Sequence, residues 1–281
     1  WCLEYCKRQL NEQGVVKSKS DELEGRFPSG SANLCTSSLY YDALVSASYL
    51  AKELGLGKAK AMSYRQQSID LRKAIDCYFH HDMQGFDTYQ YYQGNDKLRA
   101  WICMPLAVGI TERAKGTIDA LFSPRLWTEN GLLTQEGDKT FWDRSTLYAL
   151  RGALMAGETE RTLGFLEKYS HTRLLGNHVP YAIEAWPEGS QRHLAAESSL
   201  YARIYTEGLF GIRPTGFKSF AVSPRLPKKW NQMLLRNIRI CDDCFDIKVE
   251  KGKNGLQKVT LIKNGKTIKS QMGTDNLTFK L

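Results

Sequence analysis

Four glutamates, Glu184, Glu188, Glu197 and Glu207, fall within one stretch, IEAWPEGSQRHLAAESSLYARIYTEGLFG, residues 183–211. Carboxyls so placed suit general acid–base chemistry, in which one protonated group donates a proton and one ionised group accepts it. Partial burial beside aromatic rings or other charges tunes carboxyls to such roles. Glu184 and Glu188 lie among Trp186, Pro187 and Gly189, where no regular element is expected. Glu197 lies one helical turn from Leu194 and Tyr201, on or near an apolar stripe. A buried, unpaired charge is costly, so Arg203 or Arg192 is expected to pair with Glu197, or Glu197 has a chemical role. Glu207 is expected to face solvent or to support the last helical turn. His178 and His193 bracket the Glu184 loop but have no third ligand at metal spacing, so neither a metal nor a cofactor is expected.

Other stretches place carboxylates among aromatics. SDELEGRFP holds Asp21, Glu22 and Glu24. GFDTYQYY holds Asp87, Tyr89 and Tyr91. TFWDRSTLYAL holds Trp142 and Asp143. Asp143 suits either the N-cap of the helix that begins there or a hydrogen bond to a ligand. Trp101, Trp127, Trp142, Trp186, Tyr89 and Tyr91 suit either stacking on a ligand ring or core packing.

The elements that must position these residues are mostly helices up to about Gly211. SSLYYDALVSASYLAKELG puts Leu39, Ala43, Ser46, Leu50 and Leu54 on one helical stripe, with Gly55 as its stop. AKAMSYRQQSIDLRKAIDCYF, carrying Met62, Ile69, Ile75 and Phe79, reads as its antiparallel partner. DRSTLYALRGALMAG and ERTLGFLEKYS form another pair around Gly157, and LAAESSLYARIYTEGLFG is the last long helix. Cys2 to Leu10 reads as a further helix. Long aromatic loops alternate with short ones, so stacked helical hairpins would gather the long loops on one face. From about Lys218 the period becomes two: FDIKVEK alternates, and Asn264-Gly265 and Asn254-Gly255 mark turns. The expected organisation is a helical domain over 1–217 and a small antiparallel β unit over 218–281, too short for a full sandwich.

In this order, the motifs resemble the six-hairpin glycosidases, the (α/α)6-barrel group that includes trehalase, glucoamylase, glycogen debranching glucosidase and α-L-rhamnosidase. The resemblance runs from about Ser20 to Trp230 and concerns the C-terminal half of such enzymes. It implies a mainly α fold, a partial toroid of about seven or eight helices followed by the β unit. SDELEGRFP resembles the trehalase-type acid segment and puts Glu22 where that family has Asp, with Asp21 and Glu24 as neighbours that could take the role. IEAWPEG resembles the base segment of trehalase and glucoamylase and selects Glu184. AAESSLYA resembles a base segment of bacterial members related to mannosyl-oligosaccharide glucosidase and selects Glu197. GFDTYQYY resembles a sugar-subsite wall, and Trp142-Asp143 resembles a Trp-Asp motif before a barrel helix. The implied activity is inverting hydrolysis of a terminal glycosidic bond in an oligosaccharide, by a Glu acid and a Glu base. Asp143, Trp142, Trp186, Glu188, Asp87, Tyr89, Trp101, Trp127 and His193 are then candidates for binding sugar. The resemblance favours a periplasmic or secreted location and an absent N-terminal part of the barrel as a partner. Half a barrel would expose an apolar flank.

Composition bounds the alternatives. The formal charge is +9, with basic residues concentrated in PRLPKKW and KGKNGLQK. No recognition helix or RNA-binding sheet motif accompanies them, so nucleic acid is not expected as a partner. No apolar run approaches the ~20 residues of a membrane span. The chain starts at Trp1, without an initiator Met or a signal pattern, and reads as a fragment or a processed product. Of seven cysteines, five fall mostly at apolar helical positions. The pair in CDDC, Cys241 and Cys244, lacks the context of a redox or zinc motif. A polysaccharide lyase on a helical toroid and a non-catalytic carbohydrate-binding fragment remain the competing readings.

Overall fold

The computed structural model of the protein describes residues 1–21, 27–176, 180–184 and 195–281. A short helix α1 (Cys2–Arg8) precedes the hairpin of α2 (Leu34–Glu53) and α3 (Lys58–Phe79). The chain continues through a two-stranded hairpin, β1 (His80–Met83) and β2 (Phe86–Tyr89). A 3-10 turn at Ala100–Cys103 then leads into α4 (Met104–Ala107), followed by α5 (Ala114–Leu121). After the small β3 (Trp127–Thr128) and β4 (Gly131–Leu132) come α6 (Asp143–Met155) and α7 (Thr159–Tyr169). The helix α8 (Ala195–Arg203) ends in a π turn at Ile204–Leu209. Among the described residues helix makes up 43% and strand 25%, so the architecture is mixed helix and β rather than mainly α.

Contacts fix the direction of the helices. Cys103 lies against the Ser145 carbonyl, while Leu106 and Ala107 lie against Gly152, so the turn-plus-α4 segment runs parallel to α6. Arg144 pairs with Glu197 near the starts of α6 and α8, and Arg151 pairs with Glu207 further along, so these two helices are also parallel. Leu34, at the start of α2, donates its N–H to Tyr91, whose ring lies 5.2 Å from the Arg99 guanidinium at the head of the 3-10 turn. The amino-terminal ends of α2, α4, α6 and α8 therefore point the same way. Helix α6 is central, with Leu147, Leu150, Ala153 and Leu154 fully buried. The start of α2 is capped by Asn33, which accepts from the Thr36 N–H at 2.8 Å, satisfying one of the unpaired amides of a first turn.

The stripe expected to face the core on α2 faces outward instead. Leu50 is 58% and Leu54 69% exposed, and Leu39, Ala43 and Ser46 are exposed with them. The buried face consists of Leu34, Tyr41, Leu44, Val45 and Ala51, with small residues such as Ser37 and Ser38. Both faces of α2 carry apolar residues, and the one with tyrosines and serines packs against α3 and the α4 segment. On α3, Ile75 and Phe79 are buried as expected, whereas Met62 is exposed. Cys35 and Cys103 are buried, whereas Cys2 and Cys77 are exposed, away from the apolar positions expected of them.

The C-terminal strands start with β5 (Ile212–Gly216), directly after Gly211, and β5 pairs with β6 (Ser219–Val222) across the expected boundary between residues 217 and 218. With β11 (Leu277–Lys280) they form a three-stranded sheet, β11-β6-β5. A four-stranded sheet in the order β10-β9-β8-β7 holds β7 (Gln232–Ile240), β8 (Asp243–Lys251), β9 (Gln257–Lys263) and β10 (Lys266–Gly273). The two sheets meet through Phe220, stacked on Phe245 and Phe279 at 5.6 and 5.7 Å. The β unit is thus larger than expected, because β5 and β6 complete a second layer. Asn264 and Gly265, both at positive φ, form the expected turn between β9 and β10. The unit packs against the carboxy-terminal end of α6, the π turn after α8 and the side of α2. Arg225 donates to the carbonyls of Leu154 and Met155 at 3.2 and 3.1 Å, and Arg213 pairs with Asp42. Arginines at a helix C-terminus satisfy its unpaired carbonyls and oppose its negative dipole end.

Gly152 lets α6 approach α4: a Cβ there would lie 2.8 Å from Leu106 Cβ and 2.9 Å from the Ala107 nitrogen. Gly152→Val is expected to lower stability by roughly 3 kcal/mol through overpacking. Gly164→Ala, on α7 with open space around it, should raise stability by up to about 1 kcal/mol. Urea unfolding of the two variants checks the pair.

Candidate active site

The amino-terminal ends of α6 and α8 each carry a buried carboxylate. Asp143 is the first residue of α6 and is 1% exposed; Glu197 is the third of α8 and is fully buried. Positive helix ends favour negative charge at both places. Asp143 is not the N-cap. That position belongs to Trp142, which makes no side-chain capping bond. The Asp143 carboxylate lies 3.1 Å from Arg173, itself buried, and its Oδ2 accepts the N–H of Ile183 at 2.7 Å. Tyr169 lies beside them, and burial together with the Asp143 charge pushes its phenol far above the ordinary range. Glu197 Oε1 accepts from Arg144 Nε at 2.7 Å, and Oε2 has no hydrogen-bond partner among the described residues. The expected partner Arg203 is engaged elsewhere: it pairs with Glu207 one turn on, and Glu207 also holds Arg151. Glu207 therefore joins α8 to α6 instead of simply facing solvent.

Several unsatisfied buried donors lie at the same end, whereas at the opposite end Arg151 Nε also lacks a partner among the described residues. Arg99 Nε and Nη1, Trp101 Nε1 and Trp142 Nε1 have no hydrogen-bond partner among the described residues. Buried polar groups without partners are rare and costly in native structures. Arg99 sits among the rings of Phe27, Tyr91 and Tyr92 at 5.2–5.4 Å, and burial lowers its pKa. Tyr91 also donates to Asp21 Oδ2 at 2.7 Å. Both ends of the acidic segment, Asp21 and Phe27, are thereby tied to one aromatic cluster around Arg99. The Arg144 guanidinium lies 5.8 Å from the Trp142 ring.

The sequence candidates divide accordingly. Asp21, Asp143, Trp142, Trp101 and Glu197 lie at the amino-terminal ends of the helices, and Glu184 directly follows the Ile183 that Asp143 holds. Asp87 lies on the β1–β2 hairpin, paired with His80 at 2.7 Å and Arg113 at 3.2 Å; the His80 hydrogen bond, then the Arg113 charge, hold its carboxyl below the usual range. Tyr89 is buried with its hydroxyl 3.5 Å from Asp76 on α3. Trp127 packs with Phe122 and Phe165 between α5 and α7. Glu22, Glu24, Trp186, Glu188 and His193 lie outside the described residues. Sequence reasoning missed Arg99, Arg144 and Arg173. The only signal for Arg144 was its place directly after Trp142-Asp143.

A second concave region lies at the opposite end of the helices, a cavity of about 510 Å³ between α2, α6, α8 and the β unit. Its arginines are engaged: Arg151 and Arg203 with Glu207, Arg213 with Asp42, and Arg225 with Asp275. It reads as the joint between helices and β unit. Among the described residues no cluster of His, Cys, Asp and Glu could hold a metal ion, and no helix is long and apolar enough to cross a membrane.

The fold has counterparts among solved structures. It is similar to a sialidase, with a TM-score of 0.68 at 17% identity, covering 98% of this chain and 30% of that one. It is also similar to a GH78-family rhamnosidase of Bacillus sp. GL1, with a TM-score of 0.56 at 13% identity, covering 96% of this chain and 28% of that one. The protein thus spans less than a third of the length of either chain, and at these identities the likeness is one of fold. No family model and no curated protein matches the sequence.

The Arg144–Glu197 pair gives a stability test. Arg144→Met leaves a carboxylate buried without its cation and should cost about 3–5 kcal/mol, while adding Glu197→Leu should recover most of the loss. Urea unfolding of both variants measures the difference.

Proposed function

We propose that the protein is the C-terminal part of a glycoside hydrolase that cleaves a terminal glycosidic bond of an oligosaccharide by inversion. The observation that carries this reading is the gathering of paired carboxylates and unsatisfied buried donors at one end of parallel helices. The likeness in fold to a sialidase and a rhamnosidase supports it. In this reading the helical hairpins before Gly211 are part of an (α/α)6 toroid, and the β unit, which takes in β5 at Ile212–Gly216, packs beneath it. Sugar lies at the amino-terminal ends of α4, α6 and α8. Glu184 is the base that activates water, and the segment from Asp21 to Glu24 supplies the acid, with Glu22 as first choice. Inversion needs the two carboxyls ~6.5–9.5 Å apart to admit that water. Glu197, held by Arg144, supports the rear of the pocket from inside the protein, and Trp142, 6% exposed, borders it.

The exposed stripe Leu39, Ala43, Ser46, Leu50 and Leu54 is, in this reading, the seat of the remaining barrel helices. A stripe so free of charge invites association when left bare. The 281-residue chain alone should therefore self-associate in light scattering, and Leu50→Lys with Leu54→Lys should suppress it. A wild-type chain that stays monomeric would contradict this seat.

Activity of the full-length protein on a panel of aryl glycosides tests the hydrolase. Glu184→Gln should lower kcat by ~10²–10⁴-fold with little change in KM, as loss of a general base does. Glu197→Gln should chiefly lower the melting temperature, because Arg144 loses its countercharge. If Glu197→Gln abolishes turnover with an unchanged melt while Glu184→Gln stays active, the base is on α8. Absence of turnover on every glycoside would sink the hydrolase reading.

A further inference from the structure

Resting on that reading, we infer that Asp143 and Arg173 are a positioning pair that fixes the backbone leading into Glu184, and that neither touches sugar. Both side chains are 1% exposed, which leaves no surface for a ligand. Arg173 Nη2 reaches both carboxylate oxygens of Asp143, at 3.1 and 3.3 Å, and Arg173 Nη1 donates to the Asn130 carbonyl at 3.0 Å. The Asp143 Oδ2 atom then takes the Ile183 N–H at 2.7 Å. Hydrogen bonds to a charged acceptor are shorter and stronger than neutral ones, and this one lies in a dry setting: Ile183 is fully buried and Ala182 nearly so. Glu184 itself remains half-exposed. The peptide one residue before the proposed base is thus tied to the first residue of the central helix, while the base keeps access to solvent.

The chain spends irregular backbone to build this clamp. Helix α7 does not stop at Tyr169 but widens into a π turn over Ser170–Leu174, and Arg173 lies in that turn. Single π turns recur at functional sites because they re-aim one or two side chains. Tyr169, the last residue of α7, is fully buried and close enough for the Asp143 charge to act on its phenol. The pair therefore joins three segments: the start of α6, the end of α7 and the backbone before Glu184.

Hydrogen exchange at the Ile183 amide, together with kinetics, tests the inference in the full-length protein. In the wild type this amide should be protected as strongly as those of α6. The double variant Asp143→Ala/Arg173→Met removes the acceptor without leaving a buried charge unpaired. It should speed Ile183 exchange by at least about tenfold while the amides of Leu150 and Ala153 keep their protection, as expected of a local opening. Its kcat should fall about 10²-fold or more with KM changed less than about threefold, the pattern of a displaced base and not of lost binding. Asp143→Asn combined with Arg173→Met, which keeps an acceptor for Ile183 and leaves no buried charge unpaired, should restore most of the protection and part of kcat. An Ile183 amide that exchanges equally fast with and without Asp143 would overturn the inference. So would a double variant that raises KM and keeps kcat, since Asp143 would then be holding sugar. If the wild type turns over no glycoside, the hydrolase reading fails alone, and the exchange measurement still decides whether the clamp exists.

Discussion

Everything at the candidate site depends on how the protein pays for burying charge at the start of α6. Asp143 and Glu197 both lie out of contact with water, and a carboxylate there is tolerable only beside a cation and hydrogen-bond donors. Arg173 and Arg144 supply the cations, and they come from different directions. Arg144 is the residue after Asp143 and reaches across to α8. Arg173 comes from the π turn after α7. These two pairs lock the start of α6 to α8 and to the π turn after α7. The positive ends of α6 and α8 add to the same effect.

The opposite end of the helices is held by similar chemistry put to another use. Arg151 and Arg203 share Glu207, joining α6 to α8, and Arg225 covers the last carbonyls of α6. Here the arginines close helix ends and seat the β unit. Both ends hold a buried donor without a partner among the described residues, Arg151 Nε at this one, but several lie at the other, with Arg99, Trp101 and Trp142, beside the free Oε2 of Glu197. That difference in number supports the proposed location of the site, and it agrees with the rule that long loops on a rigid scaffold carry function.

Much of the scaffold was legible in the sequence. The paired helices followed from the 3.6-residue period, and the β9–β10 turn from Asn264-Gly265, because both signals are local. The face of α2 was misread, because its apolar stripe is clean while its buried face carries Tyr41, Ser37 and Ser38. Periodicity reports an apolar face but not which neighbour covers it. The second sheet was missed because β5 contains Pro214 and β6 is only four residues long. At the site, the burial of Glu197 was readable from its spacing to Tyr201, but its partner was not: Arg144 lies 53 positions away. Tyr91, not Tyr89, borders the acidic segment, because Tyr89 ends β2 against Asp76 whereas Tyr91 lies beyond the strand beside Arg99.

The most direct measurement of the central claim is a crystal structure of the full-length protein with a bound monosaccharide product. The account predicts the sugar at the amino-terminal ends of α4, α6 and α8, with a ring hydroxyl within hydrogen-bond reach of Glu184 and Asp143 still closed on Arg173. A sugar held instead in the arginine-lined cavity against β5, with nothing bound near Glu184, would contradict it.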